Sequence, residues 1–439
     1  MSGPEPVGAT VPEVPVVEGT RLGVLRPLRV RDFTVLWTGM TVSMIGDGFY
    51  YVAIAWQVYT LSNTPAALAV VGIAWSLPQV LFVLWGGVLS DRLDRRRVMI
   101  AGDLIRLVAI GTIGVLSIAG VITIPWLIVL VSVYGLGMAV FQPSFGAIIP
   151  MMVPSDLLVQ ANSLGQFVRP FAQTLVGPLL GGLLVASLGV GWAFVADAAT
   201  FAFSAIMIAL IRTKGRVRST DEHDEASGVL ADIRAGLRFV RRERWILVAM
   251  VAATVSLLAT WGPWETLIPF VVRNQLAGSA WSLGLVYGAG GVGSVAAAVL
   301  IGQRGRLPRK ALTALYVSWA AGMYGTAAFG VVRSLWQAML VALLTEGSIT
   351  YLVVIWVTLL QRLVPAKMLG RVTSLDWMVS TAGVPLSFAI VGPTAAAIGV
   401  DLTLILAGLI GGTVTLAFMY VPGARGPERD GRLREAEPA

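Results

Sequence analysis

The sequence predicts an all-α integral membrane protein with twelve transmembrane helices in two pseudo-symmetric six-helix bundles around a central cavity. Three observations lead to this fold class. Of the 439 residues, 56% are hydrophobic and only 13% are charged, about half the charged share of an ordinary soluble domain. Apolar runs of roughly 20 residues, long enough to cross a bilayer, recur along the chain. One long polar link divides these runs into six plus six.

The apolar runs define the predicted spans and the organisation of the chain. The spans are residues 34–60, 66–89, 98–118, 125–147, 158–186, 191–211, 246–271, 280–301, 310–331, 335–360, 372–398 and 402–421. The predicted regions are an N-terminal tail (1–30), a first bundle (31–211), a link (212–244), a second bundle (245–422) and a C-terminal tail (423–439). No basic region precedes an apolar stretch in the N-terminal tail, so we expect no signal peptide.

Basic residues fall in alternate loops, and this alternation predicts the orientation. Lys and Arg cluster before span one, after spans two, eight and ten, in the link and in the C-terminal tail, whereas the opposite loops carry Arg273 and Arg333. Because basic residues are enriched in cytoplasmic loops, both termini and the link are predicted to be cytoplasmic. The net charge of +8 is therefore explained by topology, and we expect no nucleic-acid partner.

The link and the two bundles show further patterns. Apolar residues at 230, 233, 237 and 240 recur at helical spacing, which predicts an amphipathic helix on the cytoplasmic face. The bundles echo each other, because spans two and eight end in a glycine and an arginine cluster and spans five and eleven each contain a Gly-Pro pair. Two such repeats are typical of transporters whose site lies near the membrane midplane at the repeat interface.

Residue counts restrict the chemistry. The chain has no cysteine, which excludes disulfides, thiolate nucleophiles and Cys-ligated metals. The one histidine, His223, lies in the polar link, so a proton carrier inside the membrane has to be a carboxylate. No phosphate-binding G-x-x-x-x-G-K-[ST] loop occurs, and the glycine run at 288–293 lies inside an apolar span without a preceding strand. We expect neither an enzyme nor a bound metal or cofactor.

The loop after span two carries a family resemblance. Residues 87–97 read GVLSDRLDRRR, which resembles the G-x-L-x-D-R-x-G-R-R signature of the major facilitator superfamily, with Asp94 in place of the second glycine. The six-plus-six layout agrees with that superfamily, and the resemblance covers roughly residues 25–422.

This resemblance implies a cytoplasmic gate. Asp91 would pair with the start of span eleven at Gly370-Arg371, and this contact would break when the cytoplasmic side opens. The alternative is that the arginines only anchor the span and set its topology, which leaves the acidic residue without a task. The gating residues implied by the motif are Gly87, Asp91, Arg92, Arg95 and Arg96.

Other segments are similar to one branch of the superfamily, which contains enterobactin-type siderophore exporters, macrolide efflux proteins and mycobacterial multidrug pumps. These segments are SMIGDG at 43–48, DLIR at 103–106, FQP at 141–143 and ANSL at 161–164. The similarity implies export of a small amphipathic compound, either a drug or a secondary metabolite such as a siderophore.

A motif in span five resembles part of a proton-antiporter signature. Residues 177–182 read GPLLGG, although Leu164 and Gln173 stand where that signature has its upstream glycines. The resemblance implies antiport. Close helix packing with no link to transport direction is the alternative. The residues concerned are Gly177, Pro178, Gly181 and Gly182.

Three carboxylates lie inside predicted spans. A charge at the bilayer centre costs roughly 2.5–3.5 kcal/mol, so such residues usually face a cavity or a partner. Asp47 lies in span one, Glu265 in span seven and Glu346 in span ten. Because spans one, four, seven and ten line the cavity in the superfamily that the chain resembles, we expect these acids to be proton-coupling or substrate-binding groups.

Each acid also has a structural interpretation. For Asp47 it is a hydrogen bond at a break in the helix between two glycines. For Glu346 it is an ion pair with a buried polar neighbour such as Arg169, and for Glu265 an interfacial position near Arg273. Arg169 is itself a candidate cavity cation, which would neutralise an acid or bind an anionic substrate.

Other polar residues within the spans suggest structural roles. Asp103 and Arg106 are three residues apart in span three, a spacing that favours a local ion pair. Asp197, expected near the outer end of span six, and Asp376, near the inner end of span eleven, are interpreted as structural. Asp376 is also a candidate member of the cytoplasmic gate.

Five aromatic residues lie on the spans expected to line the cavity and are candidate substrate contacts. Tryptophan is also common at the lipid interface, so lipid anchoring is the alternative. The five are Trp56, Trp261, Trp264, Tyr351 and Trp356.

The combined expectation is a proton-coupled exporter of a small amphipathic compound. It would act as a monomer in the bacterial cytoplasmic membrane, with the substrate, protons and the lipid bilayer as its partners. Two alternatives stay open: a facilitator or uptake permease of the same fold, and a lipid-handling or scaffold protein.

Overall fold

The structure is a computed structural model that describes residues 23–154, 157–212, 229–304 and 307–435. All regular secondary structure in these ranges is helical. In the first half, a 3₁₀ turn at Gly23–Arg29 leads into the main helices. These are α1 (Arg31–Leu61), α2 (Pro65–Arg92), α3 (Arg95–Ile118), α4 (Ile124–Ile148), α5 (Leu158–Val168), α6 (Gly177–Leu188) and α7 (Val190–Ala209).

The second half begins with the amphipathic helix of the link. Its helices are α8 (Val229–Arg242), α9 (Arg244–Phe270), α10 (Ala280–Arg304), α11 (Ala311–Phe329), α12 (Leu335–Leu363), α13 (Ala366–Thr381), α14 (Val384–Ile398) and α15 (Val400–Met419), followed by the short α16 (Gly426–Arg429) and α17 (Arg432–Glu435).

Ten helical stretches in the described residues are long and apolar enough to cross a membrane. Helices α1 and α11 are long enough to span but are not among these ten. Large apolar side chains cover the outside, since Val108, Leu300 and Trp336 are 60–65% exposed. Such a surface would be unfavourable in water and suits a lipid environment. The full count of twelve spans stays a prediction.

The helix pairs of the two halves match, which confirms the predicted pseudo-symmetry. In the first half α2 packs on α4, α3 on both α4 and α7, and α1 on α7. The equivalent pairs of the second half are α10 on α12, α11 on both α12 and α15, and α9 on α15. Between the halves, α6 packs on α10 and α2 packs on α14.

The two Gly-Pro spans are interrupted helices. A π-helical segment, Arg169–Val176, joins α5 to α6, because Pro178 has no backbone N–H to continue the α-helical bonding pattern. The predicted span at 372–398 is divided into α13 and α14 at Ala382–Gly383. Interrupted segments at corresponding positions of two repeats are a feature of transporter binding sites.

Helix α8 lies against α9 and α13. Val240 is buried and Leu237 is partly buried, whereas Arg234 and Arg238 are exposed. This division of the helix surface agrees with the predicted amphipathic pattern. The side chains of Leu230 and Ile233 lie outside the described residues.

Candidate transport site

A cavity of about 60 Å³ lies between the two halves. A space of this size holds a few water molecules rather than a drug-sized ligand. Six helices and the π-helical segment contribute polar or aromatic groups to it. These side chains are Tyr50, Tyr51, Trp75, Tyr134, Gln173, Glu265, Tyr287 and Phe388.

Glu265 is the carboxylate that lines this cavity. Among the described residues its carboxylate makes no hydrogen bond or ion pair. Glu346 is close enough to interact electrostatically with Glu265. The structure therefore brings two of the three expected acids near each other.

Glu346 itself is packed between α10 and α12. A β carbon placed on Gly290 would lie 2.8 Å from Cγ of Glu346, and the hydroxyl of Ser294 lies 3.4 Å from the Glu346 carbonyl oxygen. No ion pair with Arg169 is present among the described side chains. Arg169 is exposed at the start of the π-helical segment and is within electrostatic range of Asp47.

Asp47 is buried inside the first half rather than in the cavity. It is 7% exposed, and its Oδ1 accepts a hydrogen bond of 3.1 Å from the hydroxyl of Tyr134. Tyr134 also lines the cavity. Asp47 therefore makes a structural hydrogen bond and, through the same tyrosine, has a connection to the cavity, but the expected break at Gly46 and Gly48 is absent, because α1 is continuous from Arg31 to Leu61.

The GPLLGG segment forms close contacts with two different helices. A β carbon on Gly177 would lie 2.7 Å from Cα of Gly48, and one on Gly181 would lie 2.7 Å from Cα of Phe49, so these glycines allow α6 to approach α1. Gly182 faces the other half, where a β carbon would lie 2.9 Å from the carbonyl oxygen of Ala280. Close helix packing therefore accounts for the glycines of this segment, and one of the packed contacts lies at the interface between the two halves.

The loop motif after α2 is only partly described. Helix α2 contains Gly87, Asp91 and Arg92, but the side chains of Asp91 and Arg92 are not among those that the structure describes, and the gating role of Asp91 stays a prediction. Asp94, at the position of the missing glycine, caps α3 by accepting a hydrogen bond from the backbone N–H of Arg96 at 2.9 Å.

The two arginines after this cap bind helix ends in their own half. Arg95 donates to the carbonyl of Ala147 at 3.1 Å, near the end of α4, and Arg96 donates to the carbonyl of Ala209 at 2.9 Å, at the end of α7. Cations at helix C-termini satisfy free carbonyls and interact favourably with the helix dipole. Both arginines therefore connect α3 to the ends of α4 and α7, and their part in a gate stays a prediction.

Side chains at one end of the bundle tie the two halves together. The Tyr59 hydroxyl donates to the carbonyl of Thr266 at 2.6 Å, and Asn63 donates to the side-chain oxygen of Asn274 at 2.7 Å. The positive-inside rule predicts that this end faces the outside.

Arg273 completes this group of contacts, which we call the outer latch (Trp56, Tyr59, Thr60, Asn63, Thr266, Arg273 and Asn274). Its guanidinium donates to the carbonyl of Trp56 at 3.3 Å and to the Thr60 hydroxyl at 3.2 Å. It also lies 4.8 Å from the centre of the Trp56 ring. The outer latch therefore joins the two halves through four side-chain hydrogen bonds.

The cavity, its acids and the paired halves are the architecture of a membrane transporter, and the comparisons agree. A family model described as transmembrane secretion effector matches residues 22–432. The chain belongs to this family of major facilitator superfamily transporters. It is a multi-pass membrane transporter and not an enzyme.

Relatives of this transporter carry efflux names. Macrolide efflux protein A of Streptococcus pyogenes is 22% identical over 384 residues, covering 86% of this chain and 93% of the relative. The multidrug efflux pump Tap of Mycolicibacterium fortuitum is 27% identical over 387 residues, covering 85% and 91%. Tap of Mycobacterium tuberculosis is 25% identical over 395 residues, covering 86% and 90%.

Solved structures support the fold of the transporter. A crystal structure of a POT family transporter in complex with a thioalcohol-conjugated peptide has a TM-score of 0.69 at 11% identity and covers 89% of this chain and 95% of that chain. A POT family transporter in complex with 5-aminolevulinic acid gives a TM-score of 0.68 at 11% identity, with the same coverage. These likenesses concern the fold alone.

The five aromatic residues expected as substrate contacts do not line the cavity of the transporter. Trp56 packs under Arg273, and Trp264 meets the Phe329 ring edge-on at 5.5 Å. Trp356 donates to Asp376 at 2.8 Å. The indole N–H of Trp261 is buried without a partner among the described residues, and Tyr351 packs against the core of the second half.

The aromatic side chains that do line the cavity are different ones, and they were not predicted from the sequence. Tyr50 and Tyr51 lie one turn after Asp47, and Trp75, Tyr287 and Phe388 come from α2, α10 and α14. The signal was available for the tyrosine pair, since aromatic residues one turn beyond a buried acid share its helix face. For the other three, helix spacing alone does not say which face meets the opposite half.

Proposed function

We propose that this transporter exports amphipathic, drug-like compounds across the bacterial cytoplasmic membrane in exchange for protons. The transporter acts as a monomer with both termini in the cytoplasm, and its halves rock so that the site faces each side in turn. The observation that carries the proposal is the carboxylate of Glu265, which has no hydrogen-bond or ion-pair partner in the part of the chain that the structure describes and which lies in a cavity otherwise lined mainly by aromatic and aliphatic side chains.

This lining suits the chemistry of the substrate class. Aromatic faces bind apolar rings and attract cations, while a carboxylate adds a charge that selects a basic group. Glu265 makes no hydrogen bond or ion pair among the described residues, so a proton or a cationic substrate would supply its partner. An amphipathic cation or weak base fits this combination better than an anion or a sugar.

The names of the relatives support the same class of substrate. The relatives that match most of this chain include a macrolide efflux protein and a multidrug efflux pump. Their names motivate export as the direction and drugs as the cargo, and Glu265 with its aromatic surroundings offers a physical basis for both hydrophobic and cationic compounds.

Proton exchange requires a site whose protonation changes with conformation. Desolvation favours the neutral form of a carboxyl group, and exposure to water favours its ionised form. Glu265 and its neighbour Glu346 would be loaded with a proton when the cavity opens outward and would release it when substrate enters from the cytoplasm. A proton shifts the conformational equilibrium only by its differential affinity for the two states.

Alternating access needs two gates that open in turn. In the conformation described here, the outer latch holds the outer ends of α1 and α9 together. The predicted contact between Asp91 and the start of α13 would close the cytoplasmic side when the latch opens. The glycine contacts between α6 and α10 leave the halves close together near the middle, where they can rock without separating.

An efflux assay in cells tests the proposal. Cells that express the transporter should retain less rhodamine 6G and less erythromycin than cells with the empty vector. Glu265→Gln keeps the shape of the side chain and removes its charge, so it should impair export of cationic rhodamine 6G at least about tenfold. Asp401→Asn, an exposed acid on α15 that pairs with Arg333 at 3.5 Å, is the matched control and should export normally.

Three outcomes would contradict the proposal. Increased retention of both compounds would favour an uptake permease, and equal fluxes in both directions without a pH dependence would favour a facilitator. Movement of fluorescent phospholipid with no small-molecule flux would favour a lipid-handling protein.

A further inference from the structure

The first half contains a second group of charged residues, separate from Glu265 and Glu346. Asp47 on α1, Asp103 and Arg106 on α3, and Asp197 on α7 are 7%, 0%, 2% and 0% exposed. From the sequence, Asp103 and Arg106 are expected to form a local pair, and Asp197 is expected to be a structural residue near the outer end of span six. The structure instead places Asp197 eight residues into α7, close to the other three, and we call the four residues the buried charge cluster.

Arg106 is the centre of this cluster. Its Nη2 donates to Oδ1 of Asp103, and its guanidinium lies 4.3 Å from the ring centre of Phe141 and 4.5 Å from that of Phe201. These contacts fix the arginine inside the bundle, and it interacts electrostatically with both Asp47 and Asp197. One cation therefore faces three carboxyl groups.

Asp197 has no hydrogen-bond partner at either carboxyl oxygen among the described residues. The nearby hydroxyl of Thr200 donates its proton to the backbone carbonyl of Asp197 at 2.7 Å, so this proton does not serve the carboxyl group. Oδ1 of Asp197 faces α1, since a β carbon placed on Gly46 would lie 2.5 Å from it. The carboxyl group thus points at the backbone beside Asp47.

The charges do not balance if every group is ionised. Three carboxylates and one guanidinium would leave two negative charges in the interior. The other titratable groups that face Asp197 are Tyr50 on α1 and Tyr134 on α4, and α6, which also packs on α7, has no titratable residue. Because an unpaired buried charge is very unfavourable, such groups take up protons instead.

The cluster is connected to the cavity by two side chains of α4. Tyr134 donates to Asp47 at 3.1 Å, and Sδ of Met138 lies 3.5 Å from Nη1 of Arg106. Tyr134 and Met138 both line the cavity. A tyrosine hydroxyl can give its proton to a carboxylate while it accepts another from a donor on its opposite side.

We propose that Asp197 is a buried proton-binding site that exchanges protons with the central cavity through Asp47 and Tyr134. The site deepens the proposed function, on whose proton exchange it rests. A proton from the cavity replaces the one that Tyr134 gives to Asp47, and the proton on Asp47 passes to the Asp197 carboxylate. In the protonated state the cluster has one fewer negative charge, and no atom other than hydrogen changes partner.

Protonation of Asp197 acts on α1. This helix packs on α7 through Gly46 and on α6 through Gly48, and it contributes Tyr50 and Tyr51 to the cavity. An ionised Asp197 next to Asp47 repels α1, whereas a protonated one allows the close contact seen at Gly46. The proton therefore favours the conformation described here over one in which α1 has moved.

Infrared spectroscopy of the purified transporter in lipid measures the site without transport. A protonated carboxyl group has a carbonyl-stretching band that shifts in D₂O and that a carboxylate lacks. The wild-type protein at neutral pH should show this band. In Asp197→Asn the intensity of the band should decrease by the contribution of one carboxyl group. Asp401→Asn should leave the band unchanged, because that acid is exposed and paired. An unchanged band in Asp197→Asn, with the protein folded, would overturn the proposal.

A second variant keeps the test informative if Asp197→Asn fails to fold. Tyr134→Phe keeps Asp197 and removes the hydroxyl that links Asp47 to the cavity. It should retain the carboxyl band but slow its response to a pH jump at least about tenfold. An unchanged rate would remove Tyr134 from the path. Tyr324→Phe, whose hydroxyl lies 3.2 Å from Thr413 on the exposed surface, is the control.

The transport readout separates this inference from the proposed function. In vesicles, Asp197→Asn should lose pH-driven uphill export of rhodamine 6G and keep downhill exchange. If the wild-type protein shows no pH-driven export, the proposed function fails while the infrared result on Asp197 still stands. If the wild-type protein is pH-driven and Asp197→Asn is equally driven, the inference fails and the proposed function remains.

Discussion

Gly182 on α6 and Gly284 on α10 bring the backbones of the two halves into direct contact. A β carbon on Gly182 would lie 3.0 Å from Cα of Gly284, and one on Gly284 would lie 2.6 Å from the carbonyl oxygen of Pro178. The related pair of helices, α2 and α14, also has a close backbone contact, because a β carbon on Gly392 would lie 3.0 Å from Cα of Ala66. Small residues at these crossings set how closely the halves approach.

The first prediction concerns this crossing. Gly182→Ala should destabilise the transporter by about 1–3 kcal/mol, because the added methyl group meets backbone atoms that have to shift. Thermal unfolding in detergent measures the effect. Gly165→Ala is the control, since a β carbon there meets nothing within 4 Å and alanine favours a helix. Equal unfolding temperatures for both variants would show that the contact is not tight.

The second prediction concerns the outer latch. Arg273→Ala removes three contacts with α1 and should shift the population toward the state that is open at this end. Asn63→Cys with Asn274→Cys in this naturally cysteine-free chain reports the distance between the two ends. A short thiol-specific bifunctional reagent should link them readily when Arg273 is present and more slowly in Arg273→Ala.

Transport gives the matching readout for the latch. The cross-linked protein should stop exporting and recover when the link is cleaved, because alternating access requires the latch to open. Arg333→Ala, which removes an exposed pairing with Asp401, should cross-link at the normal rate. Full export by the cross-linked protein would contradict a rocking mechanism.

The third prediction separates the aromatic side chains of the cavity from those outside it. Trp75→Leu should change which compounds are exported, because Trp75 lines the cavity. Trp356→Phe should lower stability by about 1 kcal/mol through the lost hydrogen bond to Asp376 and leave the range of exported compounds unchanged. Export assays with a panel of dyes and thermal unfolding measure the two effects. A changed range in Trp356→Phe would restore it as a substrate contact.

The fourth prediction concerns the C-terminal segment. Glu428 accepts hydrogen bonds from the backbone N–H of Thr313 at 2.9 Å and from its hydroxyl at 2.7 Å, at the first turn of α11. A carboxylate at a helix N-terminus satisfies free N–H groups and interacts favourably with the dipole. Glu428→Ala should therefore cost about 1–2 kcal/mol of stability.

The neighbouring Asp430 provides the control for the fourth prediction. Asp430 is exposed, and Asp430→Ala should leave the unfolding temperature unchanged. If both variants unfold at the wild-type temperature, the C-terminal segment does not stabilise α11.

The apolar periodicity of the sequence was sufficient to predict the helices. The span predicted at 158–186 corresponds to α5, the π-helical segment and α6, which run from Leu158 to Leu188, and the one at 280–301 corresponds to α10. The interruption of the fifth span was signalled by its prolines, but the length of the π-helical segment was not, because it depends on how α6 packs against α1. The break between α13 and α14 was not predicted, because it too depends on packing between helices that are far apart in the chain.

The candidate site was harder to predict, because its residues come from helices far apart in the chain. Glu265 could be found as an acid in an apolar run. The grouping of Asp197 with Arg106 could not, since a helix period fixes relative faces within one helix and says nothing about which helices touch. The prediction of the aromatic lining was wrong for the same reason. Trp356 lies on a helix that was expected to line the cavity, but its indole N–H donates a hydrogen bond to Asp376.

The fifth prediction addresses the central claim, which is exchange of substrate for protons through the cavity acids. Proteoliposomes that contain the transporter and a trapped pH indicator should show proton movement opposite to rhodamine 6G as soon as the dye is added. Glu265→Gln and Glu346→Gln remove titratable groups without changing side-chain shape, and at least one of them should abolish the proton movement while downhill dye exchange continues. Dye transport by the wild-type protein with no accompanying proton movement would contradict the account.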